Sequence, residues 1–362
     1  IYFDFLNPLP LQVLAELIGV EDTAWEQAVR SPGPLVLFIV LLLIALVAMA
    51  TFRSPAVALM PDVTIKPLRS KANAVINLMG TFGGILALGL GMVFATSAVK
   101  NALMSYTVYF SVVGGTMLLA LGLFLWQVKE PKFVEEMHRE SLELGLEESE
   151  AEASGSRRLS GAERRSLLFL LASIVLWYMG YNAVTTAFPR YATEMWGQDV
   201  GGASTCLMIA TVGAVISYIP IGMISSKIGR KKTILIGVAL LAGCFALGAL
   251  MAATFSPLLY VMFALVGFAW AAINVNSYPM VVEISTSCDV GKYTGYYYTF
   301  SMAAQIATPI ISGQLLQHVG YNTLFPYAAI MVSISFITMS LTRHGDSRPE
   351  KKGKLESFDI ED

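Results

Sequence analysis

STCLMIATVGAVISYIPIGMISSKIGRKKTILIGVALLAGCFALGALMA, residues 204–252, contains two apolar runs, 204–225 and 233–252, with no Asp, Glu, Lys, Arg or His in either. The seven residues between them carry four cations, Lys227, Arg230, Lys231 and Lys232. About 20 apolar residues at 1.5 Å per residue cross a ~30 Å hydrocarbon core, and in lipid an open chain satisfies its backbone only as a helix. The stretch therefore reads as two membrane helices joined by a cationic turn. Outward from it the pattern recurs at 34–52, 72–96, 106–127, 166–188, 257–281, 294–315 and 322–342, so nine charge-free runs are strung along the 362 residues. The fold class is an all-α polytopic membrane protein.

The gaps fix an orientation. Of 24 Lys and Arg, 4 lie in 53–71, 7 in 129–165, 4 in 226–232, 1 in 283–293 and 5 after 342. Only Arg30, Lys100 and Arg190 fall in the alternate gaps. The positive-inside rule puts the first set in the cytoplasm, with the first run entering from outside and the C-terminus inside. A plasma (inner) membrane location is expected. Composition agrees, since 55% of residues are hydrophobic and 14% charged, against about 25% charged in a soluble domain. Cys206 and Cys244 lie within runs and Cys288 in a gap, without metal-ligand spacing, so free structural thiols and no metal or other cofactor are expected.

The runs beginning at 34, 72 and 106 have counterparts beginning at 257, 294 and 322. Pro61-Asp62-Val63-Thr64 ahead of Arg69 and Lys71 parallels Val282-Glu283-Ile284-Ser285 ahead of Lys292. The halves read as a duplication. The runs at 166, 204 and 233 then require partners upstream, which predicts twelve spans in the whole protein and a missing N-terminus. Residues 1–9 would close a third span, and Leu11, Leu14, Leu17 and Ile18 recur at helical spacing as a short surface helix. The expected division is a partial N-terminal bundle over 1–128, an acidic cytoplasmic linker over 129–165, a six-helix bundle over 166–342 and a tail over 343–362. The linker holds ten Glu and reads as solvated and flexible, with some helix.

The segment Gly222-Met223-Ile224-Ser225-Ser226-Lys227-Ile228-Gly229-Arg230-Lys231-Lys232 resembles the G-x-x-x-D-R-x-G-R-R-K loop of the major facilitator superfamily, with Ser226 where that family usually has Asp. Gly222 and Gly229 would allow close approach and turning, while Arg230 and Lys231 can reach carboxylates or helix C-termini nearby. A second resemblance, over residues 53–80 and Gly180-Tyr181-Asn182-Ala183, is to the sucrose-type sugar:cation symporters, the branch of plant sucrose carriers and animal solute-carrier family 45. The resemblance implies two pseudo-symmetric six-helix bundles, nine of their twelve helices visible here, rocking about a central site, with sugar uptake driven by protons.

Residue patterns supply a candidate site. Tyr178, Tyr181, Asn182 and Thr185 share one helix face; Tyr298, Ser301, Gln305, Thr308 and Ser312 share another; Trp270, Asn274, Ser277 and Tyr278 nearly do so. Uncharged hydrogen-bonding groups beside aromatic faces suit a neutral polyhydroxyl ligand, and the same residue types also fasten membrane helices together. Asn77 is placed for cavity duty, with Asn73 nearer the cytoplasmic end and the neighbouring glycines for packing. None of the nine runs carries a titratable carboxylate or His, so coupling falls to their edges. Arg53, ~27 Å along its helix, is expected to pair with a carboxylate on a preceding helix as the coupling switch. Asp62 and Glu283, at equivalent positions, are expected to form gate salt bridges with the basic loops. No phosphate-binding G-x-x-x-x-G-K-[ST] and no H-E-x-x-H is present, and His138, His318 and His344 lie in gaps or the tail, which argues against a pump or an intramembrane enzyme. The reading is a monomeric secondary carrier for a sugar or glycoside and a proton, surrounded by lipid, with no nucleic-acid partner. A drug or metabolite exporter, or a non-transporting receptor, are the alternatives.

Overall fold

The computed structural model describes residues 29–94, 107–143, 159–197, 200–251, 255–284 and 289–346. Among them there are ten helices and no strand. They are α1 (Gly33–Asp62), α2 (Arg69–Phe94), α3 (Thr107–Gln127), α4 (Glu130–Glu143), α5 (Gly161–Trp196), α6 (Val200–Ile228), α7 (Arg230–Leu250), α8 (Leu258–Glu283), α9 (Val290–His318) and α10 (Leu324–Leu341). All nine predicted runs fall on helices. Among the described residues seven helical segments are long and apolar enough to cross a membrane; α2 and α9 are of similar length, and α9 carries more Asn, Gln, Ser and Tyr.

The helices outrun their apolar cores. At 36 residues, α5 is ~54 Å long against a ~30 Å hydrocarbon layer, so its ends can carry Glu163, Arg164 and Arg165 at one end and Arg190 and Glu194 at the other. Its start is written in the sequence as a capping box: Glu163 N–H donates to Ser160 Oγ at 3.3 Å and Ser160 N–H to Glu163 Oε2 at 2.8 Å. Gly197, at φ 60°, ends it in the left-handed conformation. Within the expected linker lies the amphipathic α4, over about its first third. The expected surface helix near Leu11, linker residues 144–158 and the end of the tail lie outside the described residues, and the last linker residues, Gly161 to Arg165, open α5.

Two compact units are present. One comprises residues 1–55 and 80–132, the other 56–79 and 133–362. This division differs from the expected one: the end of α1 and the first half of α2 belong with the C-terminal helices. In the first unit the described side chains of α1 and α3 are almost all turned outward, Leu118 at 71% and Trp126 at 73% exposure. That surface is stable only in lipid.

In the second unit α6 packs on α8, α7 on α8 and α10, and α5 on α9 and α10. In lipid there is little hydrophobic drive between helices, so small residues that let backbones touch decide the crossings. At Gly267 of α8 an added methyl would collide with the Ala210 carbonyl of α6, and at Gly180 of α5 with Ala328 and Val332 of α10. An aromatic cluster fills the end near the α5 C-terminus, with Phe188 4.6 Å from Phe263 and Tyr191 5.2 Å from Phe325, ring to ring. Gly267→Ala should destabilise the protein by about 1–3 kcal/mol by overpacking, read as a lower melting temperature in detergent. Gly243→Ala, on a face with nothing within 4 Å, should leave it unchanged.

Candidate functional site

Pro61 and Pro279 stand near the ends of α1 and α8, in the first and second halves of the chain. A proline inside a helix has no N–H to give the carbonyl four residues back, so Val57 and Val275 lose their usual donors. Each is served from the other half. Tyr278 Oη donates to Val57 O at 3.1 Å, and Asn73 Nδ2 donates to Val275 O at 2.8 Å and to Asn274 O at 3.1 Å. Asn73, expected nearer the cytoplasmic end than Asn77, is 5% exposed and clamps α2 to α8. Asn77 and Asn274 extend the seam, Asn274 Nδ2 donating to Asn77 Oδ1 at 2.9 Å and Asn77 Nδ2 to Asn73 O at 2.8 Å.

One turn toward the end of α8 lies a buried ionic cluster. Glu283 Oε2 accepts from Arg69 Nη1 at 3.2 Å and from Arg230 Nη1 at 3.0 Å, with side chains only 10%, 10% and 3% exposed. A carboxylate closing a helix C-terminus and a guanidinium opening an N-terminus are each misplaced for the helix dipole, so the pair is there for contact between elements. The guanidinia have further acceptors: Arg230 Nε donates to Ser70 Oγ at 3.0 Å and Nη2 to Lys66 O at 2.6 Å, and Arg69 Nη2 donates to Pro61 O at 3.1 Å. Buried charge is tolerated only when so completely engaged. Gly229, at φ 96°, makes the turn that presents Arg230, and Gly222 meets Ala74 and Lys71 of α2 closely. Ser226 donates back to Gly222 O at 2.8 Å.

The structure brings Glu283 and Arg230 together, with Gly222 and Gly229 shaping the turn beside them. Lys231 donates through Nζ to Ser340 O at 2.8 Å and Thr342 O at 2.5 Å, capping the C-terminal end of α10, while its backbone N–H donates to Asp346 Oδ1 at 3.2 Å. Asp62 ends α1. Arg53 lies within α1 with an exposed side chain, in the first unit. Arg69 and Ser70 were missed as site residues; position equivalence pointed to acid–base pairing here, but nothing in the sequence tied Arg69 to a residue 214 positions away.

Deeper along α5 and α8 the aromatic residues meet. Tyr181 stacks flat on Trp270, centroids 3.7 Å apart at 4°, and Tyr178 meets the same ring edge-on at 5.2 Å. Tyr178 Oη lies 3.3 Å from Tyr297 Oη, which is 3.2 Å from Ser277 Oγ, and Tyr298 packs edge-on to Tyr297 at 5.3 Å. The Asn182 amide Nδ2 is buried without a hydrogen-bond partner. The α9 stripe is different: Ser301, Thr308 and Ser312 donate to Tyr298 O, Ala304 O and Thr308 O, and Gln305 Nε2 to Ser301 O. These groups serve their own helix, as does Thr185, which donates to Tyr181 O at 3.2 Å.

The arrangement is that of a helical membrane protein whose polar chemistry sits in seams between packed helices. A family model described as Major Facilitator Superfamily matches residues 170–360, more than half of the chain, and the chain belongs to that superfamily, whose members are transporters rather than enzymes. It is 24% identical over 179 residues to the uncharacterized MFS-type transporter YfkL of Bacillus subtilis, covering 49% of this chain and 44% of that one. To the uncharacterized MFS-type transporter C18.02 of Schizosaccharomyces pombe it is 26% identical over 181 residues, covering 47% and 40%. The chain spans less than half the length of these curated relatives. Solved structures of the same fold include the human organic anion transporter MFSD10 (TM-score 0.59, 16% identity, 78% of this chain and 66% of that one) and a double-tryptophan mutant of XylE (0.63, 17%, 82% and 68%). The E. coli fucose:proton symporter FucP also matches (0.56, 14%, 95% and 89%).

Two predictions follow from the geometry. Glu283→Gln, which leaves two buried guanidinia without their carboxylate, should cost about 3–5 kcal/mol, and combining it with Arg230→Gln should cost less than the sum of the two; strict additivity in thermal unfolding would show the pair to be uncoupled. Asn73→Leu and Tyr278→Phe should each lose about 1–3 kcal/mol by orphaning a buried carbonyl, whereas Asn322→Leu, exposed, should not.

Proposed function

We propose that the protein is a secondary active transporter working by alternating access, moving a sugar or glycoside together with protons. The observation that carries the reading is the Tyr181–Trp270 stack with Tyr178, Tyr297 and the unpartnered Asn182 amide beside it. A pyranose offers an apolar face to a flat aromatic ring and hydroxyls to an amide and phenols, and only uncharged partners are at hand. Trp270, Tyr181, Tyr178 and Asn182 form the binding wall, with Tyr298, Gln305, Asn77 and Asn274 bordering it.

The Arg69–Glu283–Arg230 cluster is the closure at the basic, cytoplasmic end of the second unit; its opening accompanies the change to an inward-facing state. Arg53 and Asp62 serve coupling and gating on the α1 side. The protein resides in the plasma (inner) membrane with its C-terminus inside, and functions as a monomer. A second reading, export of a larger apolar or anionic metabolite, is favoured by one observation: the hydroxyls of Ser301, Thr308 and Ser312 are bonded to backbone, which leaves that wall less able to bind a polyol.

The test is uptake of radiolabelled sucrose, maltose and glucose by the reconstituted protein, with and without an inward proton gradient. One sugar should accumulate in a gradient-stimulated manner, Trp270→Ala should abolish that uptake by removing the stacking face, and Arg53→Gln should leave binding but remove the stimulation. Uptake of none of them by folded protein would overturn symport of sugar and leave export as the reading.

A further inference from the structure

At the far end of α9 from Glu283, ~28 Å along the helix from Val290 to Pro309, a cavity of about 690 Å³ opens between α5, α9 and the short turn Tyr321–Thr323. It is distinct from the aromatic wall around Trp270, none of whose residues lines it. Its size is that of a site for a small organic molecule.

The chemistry of the lining is one-sided. Arg190 stands over the Tyr321 ring, 5.7 Å from its centroid, which holds the guanidinium in place by its weak cation–π attraction while leaving its N–H groups available. Among the described residues it has no carboxylate partner; Glu194, one turn further along α5, does not pair with it. Gln314 has its carbonyl oxygen 2.9 Å from His318 Nε2, so the group it has left to offer is its NH₂. Thr186 has given its proton to Asn182 O at 2.6 Å. Gln317 adds a second amide, and Ala187, Ile310 and Leu316 supply apolar surface. A fixed cation, amide donors and an apolar wall, with no acidic side chain in the lining, match an amphipathic anion.

We propose that this cavity binds the carboxylate or phosphate group of an organic anion, with Arg190 as the charge partner, Gln314 and Gln317 as donors, and the apolar wall taking the body of the ligand. The inference does not rest on sugar transport, and the readout below is binding rather than uptake, so either can fail alone.

The experiment is calorimetric titration of the purified full chain with benzoate, and with benzamide as its neutral isostere. Saturable benzoate binding, absent for benzamide, is expected. Arg190→Gln should weaken it at least about tenfold, and Arg190→Lys less, since an ammonium keeps the charge and loses the planar fork. Gln317→Glu, which adds a negative charge to the lining while keeping Arg190, should abolish it. Repeating the titration in phosphatidylcholine nanodiscs with and without phosphatidylglycerol separates the sources of the ligand. Weaker benzoate binding to the unsubstituted protein in the phosphatidylglycerol discs identifies a lipid headgroup as the competing ligand, and undiminished benzoate binding identifies a free solute. Equal binding of benzoate and benzamide, or unchanged benzoate binding in folded Arg190→Gln and Gln317→Glu, would overturn the assignment.

Discussion

Hydrocarbon offers a backbone carbonyl no water, so a proline that breaks a membrane helix creates an acceptor that must be served from elsewhere. Pro61 and Pro279 do this near the ends of α1 and α8, and the donors are exchanged: Tyr278 reaches Val57 O and Asn73 reaches Val275 O. The exchange turns two local defects into a joint between the end of α1, the start of α2 and the end of α8. It also explains why residues 56–79 belong with the C-terminal helices rather than with the rest of α1 and α2. The buried ionic cluster depends on the same joint, because Arg69 on α2 reaches Glu283 only where Asn73, one turn on, is already held against α8.

The cluster and the joint differ in energetic character. Amide-to-carbonyl bonds between neutral groups change little with the water around them, whereas a carboxylate and two guanidinia, only partly stabilised when buried, become far better solvated once water reaches them. Opening this end would therefore recover hydration for the ions while forfeiting the amide bonds. A seam built of both kinds of contact holds firmly when closed and has a smaller penalty on opening than the number of its bonds suggests.

Apolar runs made the helices legible, because lipid requires about 20 consecutive apolar residues wherever it is crossed. The helix ends were not, since α5 begins at Gly161 and α1 continues to Asp62 beyond the hydrocarbon, where ordinary capping and loop contacts set the boundary. Repeat symmetry placed Glu283 and the turn before Arg230 in one functional set. It could not assign Arg69, whose partner is chosen by tertiary proximity. The aromatic stripe on α5 was legible by its spacing, and its meeting with Trp270 required only that two such faces turn inward. The α9 stripe looked the same in sequence, yet its hydroxyls turn to their own helix, because a Ser or Thr four residues after a carbonyl can use that carbonyl instead of a neighbour. Spacing reports which face a residue occupies and not which acceptor its proton has taken.

The same distinction bears on where chemistry can occur along α5. Tyr181 lies against Trp270, Asn182 has an amide without a partner, and Thr186 has spent its hydroxyl on Asn182 O, so donors become scarcer toward the C-terminal end until Arg190 restores them as a cation. One helix thus presents a neutral, aromatic zone in its middle and a cationic zone a little over two turns further on. An anionic group would be retained at Arg190 and disfavoured among the phenols, where no cation is at hand to offset its desolvation. A neutral ring would pass the first zone with little hold and settle on the second.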